Sequence, residues 1–155
     1  EVDAYISYNY LEKHWSVGTL ARTGAMSRGI FLHPIMFDAD GNPYEHEVGN
    51  TYADVGEDAI VPYVESGPIQ LGDGDRVLSA TSLIPDVTSL GDITTTFYTR
   101  LYPTDSDTTH GPYTMAAPTS VRFTGRTCRM KATSDSSDAW NLGIPRLEMQ
   151  PGGRR

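Results

Sequence analysis

Alternation governs this chain. Apolar and polar residues trade places at every second position in one short segment after another, and no apolar face recurs at the helical spacing of three and four. In residues 93–102, Ile93, Thr95, Phe97, Thr99 and Leu101 point one way, and Thr94, Thr96, Tyr98, Arg100 and Tyr102 the other. The 15 Gly and 10 Pro are scattered and cut the pattern into short pieces. With nine Tyr and many Thr and Val, the chain is predicted to be all-β with tight turns.

Residues 5–8 and 13–20 read as a hairpin around a turn at 9–12. Residues 29–37 and 43–48 read as a second hairpin, turning through Asp38-Ala39-Asp40-Gly41-Asn42, where Gly41 supplies the positive φ. Pro34 cannot donate to a ladder, so it is expected at an edge or bulge. Two hairpins in succession make four antiparallel strands, the size of one β-propeller blade, with a plain four-stranded meander as the alternative; a lone blade needs neighbours on both faces. The polar stretch 49–57 marks a boundary, giving a propeller-blade-like unit at 1–57 and a second domain at 58–155.

In the second domain, strands are expected at 59–65, 68–71, 76–84 and 93–102. A loop follows at 103–118. Residues 121–123 are expected to pair with 128–132 across Gly125, and further strands to fall at 140–144 and 146–149. Strands this short, with a turn every 8 to 12 residues, predict a β-sandwich with a basic C-terminal tail. Cys128 shares a face with Met130 and Ala132, so it is expected in the core. It is the only cysteine, which excludes an internal disulfide. Trp140 is expected to anchor the last strand.

The formal net charge of −8 is uneven: residues 1–121 carry −12 and residues 122–155 carry +4. The acidic part repels nucleic acid. No run reaches the roughly 20 apolar residues of a membrane helix, so no membrane insertion is expected. The chain begins Glu1-Val2-Asp3, without Met or a signal peptide, and reads as a trimmed chain or a piece of a longer one.

Catalytic motifs do not emerge. There is no G-x-S-x-G, no phosphate-binding Gly loop and no H-E-x-x-H, and His14, His33, His46 and His110 lack ligand spacing. Asp38-Ala39-Asp40-Gly41 resembles the start of a calcium loop without its later acidic ligand, and Gly72-Asp73-Gly74-Asp75 also offers oxygens. Both fit turn chemistry, with structural calcium as the alternative. No cofactor, metal or catalytic residue is therefore assigned. Tyr98 and Tyr102, with Asp105 and Asp107 nearby, form a candidate glycan-contact set, and Trp15 and Trp140 are further aromatic candidates. Arg146, Arg154 and Arg155 are candidates for a contact between subunits, because a basic end can meet a neighbour's acidic surface. A solvated, frayed end is the alternative.

Four segments are similar to virion proteins of tailed bacteriophages. Tyr5-Ile6-Ser7-Tyr8-Asn9-Tyr10-Leu11-Glu12-Lys13-His14-Trp15-Ser16-Val17-Gly18-Thr19-Leu20-Ala21-Arg22-Thr23 resembles a late propeller repeat of that group, as does Asp40-Gly41-Asn42-Pro43-Tyr44-Glu45-His46-Glu47-Val48-Gly49. So do residues 63–75, beginning Tyr63-Val64-Glu65-Ser66-Gly67-Pro68, and the ending 140–155, beginning Trp140-Asn141-Leu142-Gly143-Ile144-Pro145. The architecture most resembles the tail nozzle, or tail tubular protein B-like, family of short-tailed phages. The resemblance implies the C-terminal part of a much longer propeller protein. It also implies a non-enzymatic role in the virion tail: a hexameric ring with neighbouring tail proteins, through which DNA passes without specific binding. A receptor- or glycan-binding module at the tail tip is the competing expectation, and a depolymerase a third.

Overall fold

The computed structural model describes residues 3–49, 51–52, 58–59, 61–71, 76–87, 93–134 and 140–153. Every regular element among them is a strand, every pairing is antiparallel, and there is no helix. The chain divides into two units, Glu1–Gly49 and Asn50–Arg155.

In the first unit, β1 (Ala4–Asn9) pairs with β2 (His14–Thr19) as a two-stranded ribbon. Its turn is built by Asn9, whose side-chain oxygen accepts the Leu11 and Glu12 N–H groups at 3.0 and 3.1 Å. Strands β3 (Gly24–Met26), β4 (Ile35–Phe37) and β5 (Pro43–Glu45) form a separate sheet in that order. The turn from β4 to β5 forms where the sequence placed it, with Gly41 at φ 86°.

The single four-stranded sheet expected of these two hairpins is therefore not what the described residues form. Residues 29–34 turn and bend instead of extending β4. Gly29 takes φ 36° and Pro34 lacks an N–H, so β4 begins only at Ile35 and β3 takes its free side.

In the second unit, β6 (Thr51–Tyr52) pairs with β7 (Asp58–Ala59), so strand pairing reaches into the polar stretch read as a domain boundary. Next come β8 (Tyr63–Glu65), β9 (Ile69–Gln70), β10 (Leu78–Ile84), β11 (Ile93–Arg100), β12 (Thr108–Thr114), β13 (Thr119–Gly125), β14 (Thr127–Ser134) and β15 (Arg146–Pro151). One sheet runs β12-β11-β14-β8, with β9 also on β14; the other runs β13-β10-β15.

The two sheets share one core. Phe97 and Cys128 come from the first, Ala80, Leu83, Val121 and Phe123 from the second, and Leu71 from the segment after β9. The Phe97 and Phe123 rings lie 4.9 Å apart. Full burial of a Leu, Val or Phe side chain is worth about 1.5–3 kcal/mol, so Leu71, Leu83, Phe97, Val121 and Phe123 carry most of what this cluster contributes. A second cluster joins Ile93, Met115 and Ala132 to the partly buried Val87, Trp140 and Leu142. Strand β11 follows the alternation read from the sequence: Ile93, Thr95, Phe97 and Thr99 are buried and the residues between them are half-buried.

Several strand expectations change. Residues 108–114, expected in a loop, form β12 at the sheet edge, where Pro112 and the register shift opposite Thr95 and Phe97 are tolerated. Strands β13 and β14 do not pair with each other: β13 pairs β10 and β14 pairs β11. The chain crosses between sheets at Gly125, where an added Cβ would come within 2.9 Å of Thr99 Cβ. Strand β11 stops at Arg100, leaving Leu101 exposed instead of inward. Residues 140–144 contribute only the bridge Val87–Leu142, so Trp140 stands off any strand.

Candidate functional site

Among the described residues, the outer face of the β12-β11-β14-β8 sheet carries a chain of ion pairs through Arg100, Asp107, Arg129 and Glu65. Register places Tyr98 opposite Arg129 and Lys131 opposite Glu65. The Arg129 guanidinium lies 4.6 Å from the Tyr98 ring centroid, donates from Nη2 to Asp107 Oδ2 at 2.8 Å, and donates from Nη1 to Glu65 Oε1. Arg100 Nε donates to the other Asp107 oxygen at 2.5 Å. Asp107 thus bridges two arginines. The hydrogen bond from Arg100 holds its carboxyl below the ordinary range, with Arg129 adding to the effect. Lys131 lies 4.4 Å from the Tyr63 ring centroid and extends the same ladder.

Two open clefts lie beside this ladder and share Leu101 and Thr124. One, of about 270 Å³, is walled by Tyr102 and Arg126, whose guanidinium stands 5.1 Å from the Tyr102 centroid. The other, of about 400 Å³, presents Asp105, Ser106, Thr108 and His110. His110 stacks on Phe123 at 5.1 Å, and its Nε2 is 2.9 Å from Thr99 Oγ1. Burial pulls its pKa below the ordinary imidazole value, which favours the neutral ring.

The four glycan-contact candidates fall in two places. Tyr98 and Asp107 meet through Arg129 and are committed to the ladder. Tyr102 lies beyond the end of β11, not on its face as expected, and forms a turn with Asp105, whose Oδ2 accepts the Tyr102 N–H at 2.9 Å. Arg146 is exposed at the start of β15, paired with Ile84. Arg154 and Arg155 lie outside the described residues, as do Asp73 and Asp75. Strand β15 ends at Pro151, and Gly152 and Gly153 follow it outside the strand. Pro151 sits opposite Leu78, and Gly152 N donates to Val77 O at 2.7 Å.

The calcium-like segment is a turn built on Asp38. Its Oδ1 accepts the Asp40 and Asn42 N–H groups at 2.9 and 2.8 Å, and its Oδ2 accepts Asn42 Nδ2 and the Tyr44 hydroxyl at 2.8 and 3.1 Å. These bonds, led by Asn42, lower the Asp38 pKa. Arg22 Nε donates to His46 Nε2 at 3.3 Å, and the guanidinium covers the Tyr44 ring at 4.0 Å. Desolvation, then the Arg22 charge, lowers the His46 pKa. Among the described residues, no three His, Cys, Asp or Glu side chains gather as a metal-binding group.

Sequence reasoning missed Glu65, Arg126 and Arg129 as members of these sites. The signal was present only as the alternation of Arg129 and Lys131 in β14; their aromatic and acidic partners depend on which strands become neighbours. No family model and no curated protein matches the chain.

Proposed function

We propose that this chain is a non-enzymatic structural component of a tailed-phage tail, of the nozzle or distal-tube kind. It assembles with copies of itself in a ring, taken as a hexamer, and contacts neighbouring tail proteins. The observation that carries the reading is the commitment of reactive side chains to structural work. Asp107, Arg100, Arg129 and Glu65 bind one another, Asp38 builds a turn, and Cys128 fills the core. The acid-rich 1–121 portion suits a wall along which DNA passes, because phosphates find few cations to hold them. In the same reading the second unit is a β-sandwich, supported by a core to which both of its larger sheets contribute. The divided strands of the first unit lend no support to a single propeller blade. Immuno-electron microscopy of virions encoding this chain tests the proposal. Label in a six-fold ring at the distal tail supports it, and label confined to the head, or none on the virion, refutes it.

The cleft walled by Tyr102 favours a second reading, a glycan-binding module at the tail tip. A half-exposed ring beside hydroxyl-bearing Ser79 and Thr124 offers a stacking wall and polar contacts. Glycan-array binding that disappears in Tyr102→Ala supports this reading, and an unchanged array signal in that variant removes it.

A further inference from the structure

The β1–β2 ribbon has one polar face and one apolar face. On the polar side, Ser7 and Ser16 hydroxyls bond at 2.5 Å, Asn9 stands opposite His14, and the Tyr5 ring folds across Gly18, where an added Cβ would meet it. On the other side the register stacks three pairs: Ala4 with Thr19, Ile6 with Val17, and Tyr8 with Trp15. The Tyr8 and Trp15 rings touch, with centroids 4.6 Å apart. Yet this face is open: Ile6 is 71% exposed, Val17 67%, Trp15 69% and Tyr8 46%. An isolated two-stranded ribbon is marginal in water, and a continuous exposed row of Ile6, Val17, Tyr8 and Trp15 gains stability when it is covered.

The face is graded in size along its length, small at Ala4–Thr19, intermediate at Ile6–Val17 and large at Tyr8–Trp15. A second copy turned by a two-fold axis along the Ile6–Val17 line reverses that gradient. Tyr8 then meets the partner's Ala4, Trp15 meets the partner's Thr19, and Ile6 meets the partner's Ile6 at the axis. Large residues face small ones, which is how facing layers interdigitate. The four large side chains present roughly 400–600 Å² of apolar surface, the size of the largest patch a monomer ordinarily shows. Two copies remove roughly 1,000 Å² from water, the lower limit for a specific interface.

We infer that the apolar face of the β1–β2 ribbon is a self-complementary docking surface, occupied by the same face of a second copy in a two-fold arrangement. This goes beyond the tail proposal and does not depend on it. A two-fold contact makes pairs, whereas a single ring closes through unlike surfaces, so either can stand without the other.

Sedimentation velocity of the full chain tests this, with Ile6→Lys and Ile6→Glu measured separately and then mixed. The expected result is a concentration-dependent dimer in the unmodified chain and at least tenfold weaker association in each variant. Mixing the two should restore the dimer, because the axis brings the opposite charges together; restoration also shows that both variants fold. His14→Lys, on the polar face, should leave the dimer unchanged. An unmodified chain that stays monomeric at the highest attainable concentration overturns the inference. So does a dimer that survives Ile6→Lys, or a mixture of the two variants that remains monomeric.

Discussion

Cys128 offers the most direct probe of the second unit's core. Its side chain is 5% exposed, at the level where the two larger sheets meet, and desolvation pushes the thiol from an ordinary 9.0 up to about 11. Only the thiolate reacts. At pH 8 an ordinary thiol is about one-tenth ionised, and one with a pKa of about 11 is about one part in a thousand ionised. Ionisation alone therefore slows labelling about a hundredfold, and steric closure of the core adds to that. Labelling with a coloured disulfide reagent should thus proceed mainly through opening of the unit, and sub-denaturing urea should accelerate it in step with unfolding. The same shift sets a pH dependence. The folded-state pKa lies above the unfolded one, so this group's contribution is fully present below about pH 9 and is lost as pH rises towards 11. Two pH units correspond to roughly 3 kcal/mol, and Cys128→Ala should flatten that alkaline decline. Native labelling at pH 8 within tenfold of a peptide thiol, insensitive to urea, would refute the buried-core reasoning.

Phe97→Ala, which empties a fully buried site between Tyr113 and Phe123, should cost about 3–5 kcal/mol in urea unfolding, whereas the partly buried Trp140→Ala should cost about half as much. Gly143→Ala should cost about 1–2 kcal/mol, because the new Cβ would lie 2.6 Å from Asp86 Cγ while that carboxylate accepts the Ile144 N–H at 2.9 Å; in an Asp86→Ala background the penalty should shrink. Asp38 and Asp107 both titrate below their ordinary 3.8, so stability should be intact above that pH and fall as acid protonates them. Denaturation midpoints between neutral and acid pH should decline less steeply in Asp38→Asn and in Asp107→Asn.

Strand character was legible in the chain alone, and in β11 and β14 so was the face that turns inward. Period-two alternation is a local property, and in β11 it put Phe97 and Thr99 on the buried side without any knowledge of neighbours. Turn chemistry was equally local, as Asn9 and Asp38 show by bonding backbone groups within four residues. Pairing was not local. Residues 121–123 and 128–132 look like the arms of a hairpin, yet Gly125 lets the chain cross from one sheet to the other, and the arms take different partners. Edge strand β12 was hidden because Gly111 and Pro112 carry a turn signature that an edge with a register shift can absorb. The candidate sites follow the same division. Tyr98 and Asp107 could be picked out by residue type, but Arg129 and Glu65 join them only once β14 lies between β11 and β8. Each side chain's direction is set by its own backbone; its partners are set by which strands the shared core brings together.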